Sequence, residues 1–472
     1  MPDSSATSGR LPTRPVSLLG LDLVPRASVP GARWPALPDF PGALMLALQF
    51  QLERTERWSP EALRAAQLRE LGDLLRHAVE TVPHYRARKA LYAPEGDGAL
   101  AEAQLARLPV LQRAEVQALG AALHSARVPA EHGPSATLRT SGSTGAPVEV
   151  LVTHLATAFN AAVVLRDHLW HRRDPTGKLA TMLNRIAPPA PSWGAPFDTL
   201  LDTGPLVSYD VRLPIDDQAR WLARENPTYL LTYASNARAL ARHCIEHRIA
   251  VPALRQVRSM GEVAREDLPA LALHAWGASV VDAYSAQEVG VLALQCPEHG
   301  TYHLQCEQSL VEVLAPDGRP CRPGEVGRVV VTPLRNWAMP LVRYALLDHA
   351  EVAPPCPCGR GLPGLRRIVG RRRNMLRFPD GRSAWPSFPE SVWEGIEGYG
   401  RVQIVQLAAD TLRVRLERDR PLEPAQMAAL TRRLTARMGY PFRVEVEVVR
   451  ELPLPGGGKF EDFVGLDDEG ER

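Results

Sequence analysis

The chain has 472 residues, enough for two or three domains with sizeable cores. Lysine plus arginine (55) nearly balance aspartate plus glutamate (53), for a net charge of +2, so charge gives no argument for a nucleic-acid partner. Six cysteines are too few for a disulfide scaffold, and no apolar run of about 18 residues suggests a membrane span.

Residues 1–42 are rich in Pro, Ser and Gly and read as a disordered or loosely docked extension. Arg10 and Arg14 are followed by prolines instead of the apolar core of a signal peptide, which fits a reducing cytoplasm. From Ala43 to Arg88 the pattern is largely helical: Leu63, Leu68, Leu71, Leu74, Leu75, Ala78 and Val79 recur mostly at three- and four-residue steps. Ser59-Pro60 supplies an N-cap and a first-turn proline. Val82-Pro83 ends the pattern, with His77 and His84 read as surface or packing residues. Leu108-Pro109-Val110-Leu111 leads into a second short helix.

Leu138 to Pro147, LRTSGSTGAP, is the stretch with the clearest chemistry. Hydroxyls of Thr140, Ser141, Ser143 and Thr144 interleave with Gly142 and Gly145, and an alternating apolar strand pattern follows. Successive N–H groups in such a turn form an anion-binding nest, and glycines let a ligand approach closely, so a phosphate-bearing guest is expected. No Gly-Lys-Ser/Thr follows, which excludes a Walker-type NTPase loop. A flexible hairpin turn is the plain alternative.

Helical patterns over Ala156–Arg172, Ile215–Glu225 and Ala234–His247 then alternate with short apolar strands at Lys178–Leu183, Tyr229–Tyr233, Val257–Glu262 and Val280–Tyr284. That alternation predicts an α/β fold with mostly parallel pairing, and ligands in such sheets bind beyond the strand C-terminal ends. Tyr284 offers a flat face for a base, and Glu288, four residues on, offers a hard oxygen for Mg2+ on a triphosphate. Cys296, His299 and His303 precede Cys356 and Cys358 by about fifty residues; two short thiolate–imidazole loops suit tetrahedral zinc, with four protein ligands and hence a structural role. Val311–Leu314, Asp317-Gly318 and Gly327–Leu334 form a hairpin-rich section. Further on, Pro386–Glu397 reads as a helix, Gln403–Leu407, Thr411–Glu417 and Arg443–Val449 as strands, and Met427, Leu430, Leu434 and Met438 as one helical face.

The ordered set resembles adenylate-forming enzymes, in particular the phenylacetate–CoA ligase branch and its CapK-like relatives: the loop at Thr140–Gly145, Tyr284-Ser285-Ala286-Gln287-Glu288, Arg343-Tyr344 with Asp348, and Gly458-Lys459. The resemblance runs roughly from Leu68 to Phe463. It implies a large ATP- and acid-binding domain at 43–370, mostly parallel sheets flanked by helices plus a β-rich subdomain, and a small mobile α+β lid at 371–472. It implies ATP, Mg2+ and coenzyme A, with an acyl-adenylate intermediate. Gly261-Glu262 resembles the family turn that lines the adenine pocket, beside Ala283, Tyr284 and Ser285. Asp348 would take the ribose hydroxyls, and Lys459 would assist adenylation with Thr144 and Glu288. Gly370-Arg371 match the hinge pair, although Arg373-Asn374 stand where acidic residues are usual, which leaves the hinge residue open. The resemblance favours His303 over His299, giving Cys296, His303, Cys356 and Cys358 as the expected zinc ligands, with His299 as substitute and Cys306 less favoured. Tyr233, Trp193, Phe197 and Ala283 would border the acid, which suits an aromatic substrate. A carrier-protein thiol or an amine as acceptor, and a catalytically dead nucleotide-binding scaffold, are the rival readings; a homodimer is compatible with all of them.

Overall fold

Local signals set the first helices. In the computed structural model, which describes residues 16–18, 21–28, 30, 35–96, 98–139, 147–184, 186–371, 374–453 and 460–466, Ser59 Oγ accepts the Ala62 N–H at 3.2 Å and opens the helix Pro60–Thr81. That helix buries Leu63, Leu68, Leu71, Leu74, Leu75, Ala78 and Val79 on one side and stops where Val82 turns extended before Pro83. His77 and His84 are both buried packing residues. Thr153 caps the helix His154–Trp170 by accepting the Ala156 N–H at 3.2 Å.

The expectation of a loose N-terminal extension fails for its described residues. Val16–Leu18 and Leu21–Leu23 form an antiparallel hairpin. Its Leu18 and Leu23 join Met45, Leu48 and Leu52 of the helix Gly42–Thr55 and Leu165 and Leu169 of the helix His154–Trp170 in one apolar cluster. Arg26 N–H then bonds the Leu200 carbonyl at 2.7 Å. Sparse leucines in a Pro-rich stretch gave no periodic signal, yet burying two of them is enough to tie the segment down.

The main sheet has eleven strands. One half runs Leu206–Asp210, Leu179–Leu183, Tyr229–Thr232, Gln256–Met260, Ser279–Ala286, all parallel, with the helices Ile215–Glu225, Ala234–Glu246 and Leu268–Trp276 packed against it. The other half continues antiparallel through Gly290–Gln295, Tyr302–Leu304, Gly364–Arg371, Tyr344–Val352, Val326–Pro333 and Ser309–Leu314, so the hairpin-rich section joins this same sheet. The change of direction has a simple cause. Parallel neighbours need a crossover of a dozen or more residues, whereas only Gln287, Glu288 and Val289 separate Ala286 from Gly290, so those two strands must be antiparallel. Glu288 therefore sits where the sheet switches from one pattern to the other.

A separate core is built from residues between Leu376 and Phe463. Its four-stranded sheet runs Arg443–Val449, Thr411–Glu417, Val402–Ala408, Phe463–Val464, covered by the helix Pro424–Met438. Leu430 and Leu434 are fully buried and Met438 packs on the core, while Met427, on the same face but in the first turn, is 41% exposed. Pro386–Glu397 is not the expected helix: it holds only a single turn at Glu390–Val392. Pro386 and Pro389 remove amide donors, and Gly395 and Gly398 take φ of +75° and +65°, outside the helical region. Among the described residues, no helix is long and apolar enough to cross a membrane.

Candidate active-site cleft

The C-terminal ends of the parallel strands open into a cleft of about 420 Å3 between the main sheet and the small domain. The strand Gln256–Met260 ends in Gly261, at φ +75°, which turns the chain so that Glu262 faces the cleft. One carboxylate oxygen of Glu262 accepts the Ser235 N–H at 2.8 Å, in the first turn of the helix Ala234–Glu246, where amides lack intrahelical partners. The other accepts the Phe460 N–H at 2.6 Å, from the small domain. Burial pushes the Glu262 carboxyl up to about 7, against the pull of these two donors.

The next strand, Ser279–Ala286, contributes Asp282, Ala283, Tyr284 and Ser285 to the cleft wall. Tyr284 donates its phenol hydrogen to Asp348 Oδ2 at 3.0 Å, and burial together with the Asp348 charge holds that phenol well above its ordinary value. Asp348 and Arg371 are cross-strand partners, with Arg371 Nε 3.8 Å from Asp348 Oδ1. Asp282 lies deeper; it accepts from Ser259 Oγ at 2.6 Å and from the Tyr302 hydroxyl at 2.8 Å, and burial raises it to about 7.

Glu288 is paired with Arg113 at 2.7 Å, and the Tyr344 hydroxyl stands 3.5 Å from the same carboxylate oxygen. No motif pointed to Arg113. The only sequence signal was the short helix after Leu108–Leu111, and its approach to Glu288 depends on tertiary pairing. Leu111 N–H bonds the Arg343 carbonyl at 3.0 Å and the Leu111 carbonyl accepts the Ala345 N–H at 2.9 Å, clamping the helix start to the strand Tyr344–Val352. Arg343 itself takes φ +50° and is buried, its guanidinium forked on Glu312 at 2.9 and 3.0 Å. Trp385 and Arg401 of the small domain also line the cleft without any prior signal.

Of the expected site residues, Gly261, Glu262, Ala283, Tyr284, Ser285, Glu288, Asp348 and Arg371 come together around this one cleft. Thr140, Ser141, Gly142, Ser143, Thr144, Gly145 and Lys459 lie outside the described residues. Their flanks are described: Ser135–Arg139 pairs antiparallel with Glu149–Thr153, and the Arg139 carbonyl accepts from Gln287 Nε2 at 2.8 Å, beside Glu288. Phe460, next after Lys459, is the residue bonded to Glu262. Tyr233 follows its strand at the right end but is buried, its hydroxyl bonded to Asn184 Oδ1 at 3.2 Å, and does not line the cleft. Trp193 is placed elsewhere: its indole N–H bonds the Gly177 carbonyl at 2.9 Å, at the N-terminal end of the strand Leu179–Leu183, and its ring packs on His168 at 5.2 Å. Phe197 packs edge-on against the same His168 at 5.1 Å.

Cys296, His303, Cys356 and Cys358 form a second group, with all four ligand atoms within 4.8 Å of one another. Cys296 Sγ and Cys356 Sγ are 3.9 Å apart, and Cys358 Sγ and His303 Nε2 are 3.3 Å apart. Tetrahedral zinc with its usual bond lengths needs about 3.8 Å between sulfurs and about 3.6 Å between sulfur and nitrogen. His303 Nδ1 lies 3.2 Å from the Leu362 carbonyl, so Nδ1 carries the proton and Nε2 presents a lone pair to the thiols. Burial lowers His303 to about 4, which keeps the ring neutral. Arg360, buried, lies 3.9 Å from Cys296 Sγ, bonds Glu56 at 3.2 Å and stacks over Trp170 at 4.5 Å. His299 is exposed and outside this group; Cys306 is buried and also outside it.

No protein-family model matches the chain. A phenylacetate-coenzyme A ligase from Thermus thermophilus is 37% identical over 92 residues, a stretch that spans 19% of this chain and 20% of that relative. Among solved structures, a 2-hydroxyisobutyryl-CoA ligase in the postadenylation state superposes with a TM-score of 0.65 at 20% identity, covering 85% of this chain and 88% of the other. An open conformation of a 2-hydroxyisobutyryl-CoA ligase gives 0.54 at 20% identity over 89% and 92%. An anthranilate CoA ligase bound to anthranoyl-AMP gives 0.51 at 16% identity over 68% and 65%. The chain thus has the α/β fold of the adenylate-forming CoA ligases, a large sheet-and-helix body followed by a smaller C-terminal region.

Proposed function

We propose that the protein activates a carboxylic acid with ATP as an acyl-adenylate and passes the acyl group to the thiol of coenzyme A. The observation that carries this reading is the convergence of Glu262, Tyr284, Glu288, Asp348 and Arg371, drawn from separate turns and strands, on one cleft shared with the small domain. It is supported by the acyl-AMP and coenzyme A complexes of proteins with this fold.

A carboxylate cannot expel oxide, so its oxygen first attacks the α-phosphorus of ATP and pyrophosphate leaves. The thiolate sulfur then attacks the acyl carbon, and AMP departs with the electron pair of the acyl–oxygen bond. In this reading Asp348 orients the ribose, and the face of Tyr284 packs on the base. The loop Thr140–Gly145 and Lys459 meet the phosphates, and the seated small domain keeps water from the adenylate. Glu288 would hold Mg2+, which would supply positive charge to the triphosphate. Rotation of the small domain would carry Lys459 away before thiol transfer. The Cys296, His303, Cys356 and Cys358 group has the donor set and spacing of a structural zinc site, tying the loops of the antiparallel half together. Trp193 and Phe197, two of the aromatic walls expected for an aryl acid, pack away from the cleft, so neither supports an aromatic substrate.

The test is pyrophosphate release with ATP, Mg2+ and a panel of aliphatic and aromatic acids, followed by thioester formation with coenzyme A. Acid-dependent pyrophosphate release with at least one member is expected. Binding of nucleotide without turnover of any acid would instead support a scaffold.

A further inference from the structure

The loop that carries Cys356 and Cys358 is also the surface on which the connector between the helices Gly42–Thr55 and Pro60–Thr81 lies. The Gly361 N–H bonds the Glu56 carbonyl at 2.8 Å, and Arg57 Nη1 bonds the Cys358 carbonyl at 3.0 Å. A Cβ at Gly361 would stand 1.7 Å from the Trp58 carbonyl oxygen, so the two backbones touch there and only glycine fits.

Arg360 joins the two sides. Its Nη1 lies 3.9 Å from Cys296 Sγ, the same guanidinium bonds the Cys358 thiol, and its Nε bonds Glu56 Oε1 at 3.2 Å. The exposed Glu298 takes a further Nη1 bond at 3.2 Å. The Arg360 and Glu56 side chains are 6% and 1% exposed. The other oxygen of Glu56 accepts the Trp170 indole N–H at 2.9 Å and has Arg166 Nε at 3.9 Å. The Trp170 ring stacks on the Arg360 guanidinium at 4.5 Å and meets His303 edge-on at 5.8 Å. Arg360, Glu56 and Trp170 are thus a buried bridge from the thiol–imidazole group to the connector.

We propose that Arg360 is the charge partner of the metal centre and that, through Glu56, it makes metal retention and docking of the connector depend on one another; this rests on the zinc reading above, which gave the centre only the loops of the antiparallel half. A divalent ion held by three thiolates and a neutral imidazole leaves one net negative charge. Cys296 and His303 are buried, so water does little to solvate that charge. A guanidinium against two of the sulfurs offsets it through charge-assisted hydrogen bonds. Arginine has no lone pair to offer a metal, so Arg360 is a positioning residue and not a ligand. A guanidinium also cannot shed its charge, so once buried it needs the Glu56 carboxylate behind it. Coupling of this kind is reciprocal: whatever the docked connector adds to metal affinity, the bound metal adds to docking.

The experiment measures zinc affinity of the full chain by competition with a colorimetric chelator, for wild-type protein, Arg360→Met, Arg360→Lys, Glu56→Gln and Leu222→Ala. Leu222 is fully buried in the core beside the parallel strands, so its variant controls for lost stability away from the centre. Arg360→Met and Glu56→Gln should each hold zinc about 10–100-fold more weakly. Arg360→Lys, which keeps the charge, should fall between, and Leu222→Ala should match wild type. Hydrogen exchange on a peptide covering residues 52–60 gives the second readout. It contains no metal ligand and reports the Glu56, Arg57 and Trp58 amides, which bond the Leu52, Arg54 and Thr55 carbonyls. Stripping zinc from wild-type protein should speed their exchange about tenfold or more while the parallel strands stay protected. If Arg360→Met does not fold, Arg360→Lys and Glu56→Gln carry the comparison. Zinc affinity unchanged by the Arg360 and Glu56 variants, or lowered no more than by Leu222→Ala, would overturn the proposal, as would connector exchange indifferent to zinc. Wild-type protein that neither retained nor took up zinc would bring down the zinc reading and this proposal with it. Zinc held tightly whatever stands at position 360 would bring down this proposal alone.

Discussion

Replacing Glu262 by alanine separates two duties of one carboxylate. Its bond to the Ser235 N–H at 2.8 Å serves the start of the helix Ala234–Glu246, and its bond to the Phe460 N–H at 2.6 Å holds the small domain on the main sheet. Loss of a side-chain acceptor at a helix start costs about 1 kcal/mol, and above about pH 7, where Glu262 is ionised, a hydrogen bond to the charged group contributes about 1.5–3 kcal/mol. Glu262→Ala should therefore lower global stability by about 1–2 kcal/mol in urea titration. Seating of the small domain should weaken by about 1.5–3 kcal/mol, roughly a ten- to hundredfold drop in its equilibrium constant. The seat would not vanish, because the Arg265–Asp462 ion pair, Arg242 over Tyr399 at 4.8 Å and Arg265 over Phe388 at 5.5 Å remain. Hydrogen exchange read by mass spectrometry on a peptide that begins at least two residues before Phe460 reports its amide. Its exchange should speed up at least tenfold while strands of the main sheet stay protected. Unchanged exchange at that peptide would refute the latch, even if global stability fell as expected.

Four further outcomes are expected. Glu288→Ala and Asp348→Ala should each cut acid-dependent pyrophosphate release at least tenfold, through loss of the metal and ribose positions; a variant with wild-type rate would remove that residue from the mechanism. Lys459→Ala should slow acid activation by about 10²–10³, the usual cost of losing one preorganised charge, yet form thioester from presynthesised acyl-adenylate at near-normal rate; equal losses in both steps would make Lys459 structural. Metal analysis should find about one zinc per chain, and Cys356→Ser should lower the unfolding temperature, since binding of a structural metal adds to folding free energy; active protein purified without zinc would sink the site. Burial raises Glu262 from an ordinary 4.5 to about 7, so the folded chain holds that proton more tightly than the unfolded one. The stability this contributes is complete below about pH 4.5 and is lost as the pH rises to about 7. Glu262→Gln should flatten the stability curve in that window, with Asp282, also near 7, retaining its own share; a curve of unchanged slope would contradict the burial of Glu262.

Much of the fold was legible because its signals are local. Ser59 and the spacing of Leu63 to Val79 specify a helix within its own turns, and short β-branched runs such as Val280-Val281 mark strands that need no distant partner to be recognised. The windows at Tyr284–Glu288 and Gly261-Glu262 were visible because a turn after a strand is itself a sequence pattern. The choice of His303 over His299 was not local in this sense. Both lie within seven residues of Cys296, and only the hairpin that pairs Leu294 with His303 turns that ring, and not the exposed one, toward Cys356 and Cys358.

Tertiary structure alone decided the rest, for one physical reason: a side chain's partners are set by which backbones pair, not by its own neighbours. Trp193 and Tyr233 looked equally able to border a ligand, but the first packs at the N-terminal end of its neighbouring strand and the second bonds Asn184. Leu18 and Leu23 looked loose until a groove between two helices accepted them. Arg113 carried no motif at all; the pairing of Leu111 with the strand at Tyr344 brought it to Glu288 across 175 residues of chain. The sequence by itself determined the elements and the residue types able to handle a nucleotide and a metal. The packing of those elements determined which of the residues meet, because burial and strand register act over distances in space that the order of residues does not record.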